Sequence, residues 1–356
     1  MQYLKSIEKF VENQTVFCGI DIHKKFWVLC YLCNGEVVEK HVIPGELNAL
    51  IHHTRRLYHS ASRIKFVYEA GFSGYWLQRQ LTGMGYECII TPPSRIPTHP
   101  DKVKTDKRDA KKLARYLSGG LLKEVYVPSP SIEADRQLLR LREGNKKKLT
   151  RVKNQINSLL HLHGLMWRRE SGCRWTRRFV MWLKGLEFEE ENFRYILDQY
   201  LSEYYFLRDQ IACITRRIRG LALSDVYSKN YKYISSCKGI GLITAMTFLV
   251  ELCDMDRFRD SMHFSSYLGL TPGQYTSGEH VRLGHITHEG NAHLRGVLIE
   301  SAWTVIRYDL FLREKYDRIK ARGTNGKKAI VAVARSLAIR LRRCVLYEEP
   351  YVVGVC

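Results

Sequence analysis

Three β-rich runs in immediate succession, followed by strand and helix in alternation, constrain the first 125 residues more tightly than any other feature. Residues 16–22 (VFCGIDI), 26–33 (FWVLCYLC) and 36–43 (EVVEKHVI) are rich in β-branched and aromatic residues. Asn34-Gly35 separates the last two runs and is a strong hairpin signal, because both residue types accept the positive φ of a type I′ turn. The pattern then predicts a helix over 45–58, a strand over 63–69, a helix near 73–82 and a strand over 86–91. A loop at 92–100 holds four of the nine prolines. The next helix is expected to begin near Asp106 and to stop at Gly119-Gly120.

Three antiparallel strands followed by helix, strand, helix, strand, helix is the order of a ribonuclease-H-like α/β domain. From about residue 133 the text turns helical and basic. Phe193, Leu197, Tyr200, Tyr204, Leu207, Ile211, Ile214, Ile218 and Leu221 recur in alternating steps of four and three. That seam predicts a coiled coil, within the chain or between subunits, and a helix buried in a bundle has the same spacing. Lys238-Gly239-Ile240-Gly241 before LITAMTFLVEL predicts a tight turn opening a helix, as in a helix-hairpin-helix. Glycine there lets backbone approach a ligand, and the free N–H groups of a first helical turn suit an anion. The expected organisation is a catalytic domain at 1–125, a basic helical, coiled-coil region at 126–225 and a mainly α domain at 226–356.

Charge narrows the partners. The 356 residues carry 57 Lys+Arg against 36 Asp+Glu, a formal net charge of +21. Such an excess disfavours small neutral substrates and favours a polyanion, either nucleic acid or an anionic membrane. No run approaches the roughly 18 apolar residues of a spanning helix, and the start, MQYLKSIEKF, lacks the apolar core of a signal peptide. Between 140 and 184 thirteen basic residues face two acids, and between 313 and 343 eleven face two, so two helical strips hold almost all of the surplus. Within the first strip and near the Pro-rich loop, Lys102, Lys104, Lys146, Lys147, Lys148 and Arg151 are candidate nucleic-acid contacts, with the backbone at Gly239 and Gly241, and with Arg282 and Arg295. Cys30 and Cys33 are the one close cysteine pair; on a strand they point to opposite faces, which predicts buried thiols rather than a zinc site.

Four carboxylates carry the chemistry. Asp21 ends the first strand, Glu69 ends the fourth, and Asp106 and Asp109 share one face of the following helix by their i, i+3 spacing. In the expected sheet the first and fourth strands are neighbours, so the four acids converge. Such a cluster is repulsive unless a hard divalent cation neutralises it, and Mg²⁺ (or Mn²⁺) at carboxylates is the machinery of phosphoryl transfer. Taken singly, Asp106 is equally a helix cap, Asp109 a first-turn acid, and Glu69 a surface partner for lysine.

The motifs GIDIHK, YEAG, VKTDKRDAKKLA, KGIG and YLGLTPGQYTSGEHVRLGHITHEGNAHLR, in this order from about residue 16 to 343, resemble the DEDD transposases of the IS-one-ten insertion-sequence family, relatives of the Piv-type DNA invertases. The resemblance implies a RuvC-like domain in which Asp21, Glu69, Asp106 and Asp109 bind Mg²⁺. It also implies that Ser277, in the Y-x-S-G motif of the C-terminal transposase domain, is the nucleophile that attacks DNA. By residue type alone Ser277 reads as an ordinary polar turn residue. Further implications are a bridge RNA that pairs with donor ends and target DNA, and a composite site within a homo-oligomer (dimer or tetramer); the ten scattered cysteines and the lack of an apolar span point to a cytoplasmic location without membrane contact. His280, His285, His288 and His293 crowd the same segment without a metal-ligand spacing, and His23 stands two residues after Asp21. The Trp- and Arg-rich stretch 164–192 suits either base stacking or a hydrophobic helix with a basic rim. Three rival functions use parts of this pattern: a Piv-like site-specific invertase, a RuvC-like junction nuclease with water as nucleophile, and a non-enzymatic nucleic-acid-binding protein.

Overall fold

A computed structural model describes residues 2–96, 106–168, 172–277, 280–286, 290–323 and 325–354. The chain divides into two compact units, Met1–Val127 and Pro128–Cys356.

The first unit contains, in chain order, α1 (Gln2–Val11), β1 (Thr15–Ile22), β2 (Phe26–Cys33), β3 (Glu36–Pro44), α2 (Leu47–Tyr58), β4 (Arg63–Glu69), α3 (Trp76–Gly83), β5 (Glu87–Thr91) and α4 (Asp106–Ser118). Every strand and helix expected from residue 16 onward is present, within a few residues of its predicted bounds. Helix α1 was not foreseen; it is short, and among its described side chains Ile7 and Val11 are the buried ones. The five-stranded sheet has the order β3-β2-β1-β4-β5. The pairs β1–β2 and β2–β3 are antiparallel, while β1–β4 and β4–β5 are parallel. At the β2–β3 turn Asn34 and Gly35 both have positive φ, 49° and 81°, which is why those two residue types stand there.

The sheet is covered on both faces. One face presents Val16, Cys18, Ile20, Phe66 and Tyr68 to α1, α2 and α3, with Leu50, Leu57, Tyr58, Leu77 and Leu81 closing the core. The other presents Val28, Cys30 and Leu32 to Ala110 and Ala114 of α4. Cys30 and Cys33 therefore lie in different layers, as strand alternation requires. Burial pushes both thiols above their usual range.

Helix α4 sits very close to β1. A Cβ added at Gly19 would stand 2.1 Å from the Ala110 carbonyl oxygen and 2.7 Å from the Ala114 nitrogen. Glycine in mid-strand commonly marks such an approach. Gly19→Ala is expected to push α4 off the sheet and to destabilise the unit by about 3 kcal/mol, measured by urea unfolding. An unchanged midpoint would show that α4 lies elsewhere.

The second unit contains α5 (Pro130–Leu162), α6 (Arg177–Lys184), α7 (Glu191–Ala222), α8 (Ser228–Ser235), α9 (Leu242–Leu252), α10 (Ser261–Tyr267), β6 (Pro272–Ser277), β7 (His280–Ile286), α11 (Ala292–Val305), α12 (Leu310–Ala321) and α13 (Gly326–Leu346). Ser129 caps α5 by accepting from the Ile132 N–H, with Pro130 following it at the first helical position. Helices α5 and α7 pack antiparallel: Arg142, early in α5, donates to Thr215 Oγ1 late in α7 at 2.7 Å, while Leu159 and Leu162 line a groove with Phe193 and Ile196.

The heptad residues Leu197, Tyr204, Leu207, Ile214 and Ile218 are all buried. At one end of the pair they meet Val152, Ile156 and Leu159, and at the other they join the core that contains Leu139. The buried part of the seam is thus packed within the chain, with α5 as its main partner. In the stretch 164–192, Trp167, Trp175 and Trp182 surround the buried Phe179 at ring separations of 5.3, 5.2 and 5.6 Å. Its tryptophans form a small aromatic core at the far end of the helix pair, with a basic rim.

A larger core joins α8 to α13 with the near ends of α5 and α7. Beside it Asp309, 2% exposed, accepts from Arg340 at 2.8 Å and from the Tyr351 hydroxyl at 2.6 Å, and it caps α12 through the Leu312 N–H.

Candidate active site and nucleic-acid interface

The alternation of β1 and β4 decides where the acids point. Gly19 lies under α4, so Asp21, two residues on, faces the same side of the sheet. The parallel register pairs Gly19 with Val67 and Ile20 with Tyr68, which places Glu69 beside Asp21 on that side. Asp109 precedes Ala110, the residue whose carbonyl meets Gly19. Asp21 and Glu69 therefore stand near the ends of β1 and β4 on the side of the sheet that α4 covers, and Asp109 lies in the first turn of that helix. Asp106 opens α4 by its backbone; its side chain lies outside the described residues, as do Lys102 and Lys104.

Asp21 is partly exposed and its Oδ2 lies 3.2 Å from His23 Nε2. His23 is fixed in turn by a backbone bond from its N–H to the Phe26 carbonyl, 3.1 Å, and by ring contact with Phe26 at 4.7 Å. An imidazole in that position orients the carboxylate. Carboxylate oxygens are hard donors, which suit Mg²⁺ or Mn²⁺ rather than zinc. Among the described residues no group of three or more His, Cys, Asp or Glu stands close enough to hold a metal ion.

The serine motif adopts a conformation that differs from the expected turn. Ser277 is the last residue of β6 and pairs with His280 of β7, so the motif lies on a β-hairpin. Tyr275, Thr276 and Val281 favour extended backbone, which explains the strand. The side chains of Ser277, His280, Arg282 and His285, and the whole of His288, lie outside the described residues. Ser277 belongs to the second unit and the acids to the first.

The chain returning from the hairpin is anchored by a buried charge network that sequence reasoning missed. Glu251 of α9, 2% exposed, receives both Nε and Nη2 of Arg140, at 2.8 and 2.9 Å, and lies 3.4 Å from Arg136 Nε. Asn291, which caps α11, donates its side-chain amide to Glu251 at 2.8 Å and its backbone N–H to the Tyr267 carbonyl at 3.2 Å. Gly290, at φ 104°, has no room for a side chain: an added Cβ would lie 2.3 Å from that same Tyr267 oxygen. Glu251 in an apolar helix was the available signal, since a lone acid inside LITAMTFLVEL needs a partner. Glu251→Ala leaves two arginines uncompensated, one of them buried, and is expected to cost about 3–5 kcal/mol, read as a lower urea midpoint. A shift below 1 kcal/mol would show that the network contributes little.

The remaining candidates divide into two groups. Lys146, Lys147, Lys148 and Arg151 are exposed on α5. Lys147 also pairs with Glu143 at 2.7 Å, and Glu143 is hydrogen-bonded to His293. Burial raises the Glu143 carboxyl, but Lys147 and His293 outweigh it and hold the group below the usual carboxylate range. Arg295 is half-buried on α11, and its Nη1 has no hydrogen-bond partner among the described residues. Gly239, at φ 107°, has a role within the fold, since a Cβ there would press on Val305 at 2.9 Å. Gly241 caps α9, and an added Cβ there would meet only open space.

The helical rim near α6 adds a basic, aromatic surface. Lys153 lies over Trp175 and Tyr204, and Lys184 over Tyr205, at 5.0, 5.8 and 5.0 Å. Arg174, Arg177 and Arg178 are exposed beside them. In the second basic strip Arg340 and Arg342 are spent on the fold, the latter donating to the Met255 and Phe258 carbonyls. No helix is long and apolar enough to cross a membrane among the described residues.

This combination of acids at a sheet end, a helical second unit and basic surfaces defines a class of enzyme that works on nucleic acid. Residues 18–164 match a family model for DEDD transposases of the IS110 type, and residues 231–317 match the Transposase IS116/IS110/IS902 family. The two matches do not overlap and together span well over half of the chain. A putative transposase, y4qE, of Sinorhizobium fredii is 29% identical, over 92% of this chain and 87% of its own length. The transposase of insertion sequence IS1533 of Leptospira borgpetersenii is 26% identical over 93% and 96%, and that of IS1111A of Coxiella burnetii 25% over 80% and 78%. The chain belongs to the IS110 family of insertion-sequence transposases.

Proposed function

We propose that this transposase cuts and joins DNA with Asp21, Glu69, Asp106 and Asp109 as a Mg²⁺-binding tetrad and Ser277 as nucleophile, and that a bridge RNA selects donor ends and target. The observation that carries the reading is the side-by-side placement of Asp21 and Glu69 under the helix that bears Asp109. The sheet order, with antiparallel β3-β2-β1 continued by parallel β4 and β5, supports a ribonuclease-H-like assignment for the first unit.

In this mechanism the carboxylates hold the cation, which when bound neutralises charge on the scissile phosphate. His23 keeps the Asp21 carboxylate in one orientation. The Ser277 hydroxyl loses its proton and its Oγ bonds to phosphorus; the bond from phosphorus to the leaving deoxyribose oxygen breaks, and that oxygen takes up a proton. The phosphoserine link conserves the bond energy until a strand hydroxyl attacks phosphorus and releases the serine. The serine region, with the α8–α9 turn as a phosphate-contacting helix-hairpin-helix, forms the domain that presents the nucleophile. The basic strip at 126–225 supplies the surface for RNA, and a dimer or tetramer in the cytoplasm brings serine and acids together.

Purified protein with its copurifying nucleic acid tests this directly. A structured RNA whose loops match the element's ends and its target supports guidance; DNA cutting by RNA-free protein at fixed sites would point to the invertase-like reading. His23→Ala is expected to lower the cleavage rate by ten- to a hundredfold, with partial recovery at high Mg²⁺, because it loosens a ligand without removing it. A rate unchanged at every Mg²⁺ concentration would remove His23 from the site.

A further inference from the structure

The base of the serine hairpin is one wall of a groove of about 320 Å³. Leu270, Pro272, Gly284 and Ile286 form that wall, and Lys327, Lys328, Val331, Ala332 and Arg335 of α13 form the other. Lys328, Val331, Ala332 and Arg335 recur at i, i+3, i+4 and i+7, so they share one helix face. The floor is apolar and the rim is cationic, with no carboxylate among the described lining residues. Lys327 and Lys328 are exposed, and Arg335 is partly so. Unlike Arg340 and Arg342 of the same helix, these three are not spent on buried partners.

We infer that this groove holds the DNA strand backbone on one side of the cut, as a positioning site for the phosphate that Ser277 attacks; the inference rests on the assignment of Ser277 proposed above. Pro272 and Ser277 stand at opposite ends of β6. Five strand steps at about 3.3 Å separate them by roughly 16 Å. At a rise of about 3.4 Å per nucleotide that is roughly five nucleotides of duplex, and fewer of an extended single strand. The apolar floor suits the sugar faces, and the cations bracket the phosphates. Because the groove wall and the serine share one hairpin, a strand seated here is registered to the nucleophile through the β6–β7 pairing.

The test is an interference scan. The full protein, with whatever RNA it carries, is given duplexes of the element's own end in which single phosphates are replaced by neutral methylphosphonates. Wild type is expected to lose about tenfold in cleavage when the substitution lies three to five nucleotides to one side of the cut. The pair Lys328→Gln and Arg335→Gln is expected to cleave natural DNA about tenfold more slowly and to be indifferent to the same substitutions, with Lys328→Arg restoring both rate and sensitivity. Its affinity for the duplex should fall less steeply with salt, the slope of log K against log [salt] being smaller by roughly two. If the variants keep the wild-type interference pattern while cutting still depends on Ser277, the groove is not the positioning site and the nucleophile assignment stands. If Ser277→Ala still cuts, the assignment and this inference fall together.

Discussion

Asp21→Asn is expected to abolish DNA strand cleavage, by about a thousandfold or roughly 4 kcal/mol of barrier, while leaving the fold intact. Asp21 is partly exposed near the end of β1, its carboxylate lies 3.2 Å from His23, and the β1–β4 register carried one residue past Ile20–Tyr68 sets Glu69 beside it. Asparagine preserves shape and one acceptor oxygen, so packing against α4 is unaffected. What it removes is a negative charge from the site proposed to hold a divalent cation against phosphate oxygens. The loss should be seen in cleavage and not in DNA or RNA affinity, since the cation-rich surfaces belong to other residues. A thermal unfolding curve superimposable on wild type, alongside loss of cutting, is the expected result. Retained cutting at a tenth of the wild-type rate or better would place the reaction elsewhere.

Ser277→Ala is expected to have the largest effect of all, a loss of at least about four orders of magnitude in cutting, because no covalent step can proceed without the attacking oxygen. Ser277 closes β6 opposite His280, and alanine removes one hydroxyl without a change of backbone preference that would break the pair. Binding of nucleic acid should stay within about 0.5 kcal/mol of wild type. This substitution separates two chemistries that share the acids. A nuclease that uses water would tolerate it; a serine recombinase would not.

The two losses differ in legibility. Asp21 and Glu69 could be placed from the chain alone because both end strands, and because strand order followed from the Asn34-Gly35 hairpin and the later alternation. Their convergence was expected from the same order, which makes the first and fourth strands neighbours. Ser277 had no such support: a serine in a polar stretch is chemically unremarkable, and only likeness to a family singled it out. The heptad seam was legible as a seam but silent on its partner. A 3–4 repeat states that one helix face must be covered, and α5 of the same chain covers it. The Trp-rich stretch was ambiguous for a related reason, because tryptophan serves packing and base stacking equally well until Phe179 is seen at its centre. The Glu251 network was hidden because its arginines lie more than a hundred residues away on α5, and its asparagine forty residues ahead on α11.

The basic composition is also redistributed by the fold. Of the cations in the two strips, Arg140, Arg340 and Arg342 satisfy buried acids or carbonyls. Lys146, Lys148, Arg151 and the rim around Tyr205 stay at the surface of the first strip, and Lys327, Lys328 and Arg335 line the groove of the second. Net charge therefore identifies the partner's sign, while the fold decides which charges are left to meet it.

The central claim is that a serine in one unit acts on a phosphate handled by acids in the other. It is tested most directly by trapping the reaction on an end-labelled duplex in Mg²⁺ and mapping the protein-linked label by peptide mass spectrometry. The account predicts a phosphodiester between DNA and the peptide containing Ser277, absent in Asp21→Asn as well as in Ser277→Ala. Cut DNA with free ends and no protein-linked label, in a reaction that still requires Asp21, would contradict it and assign attack to water.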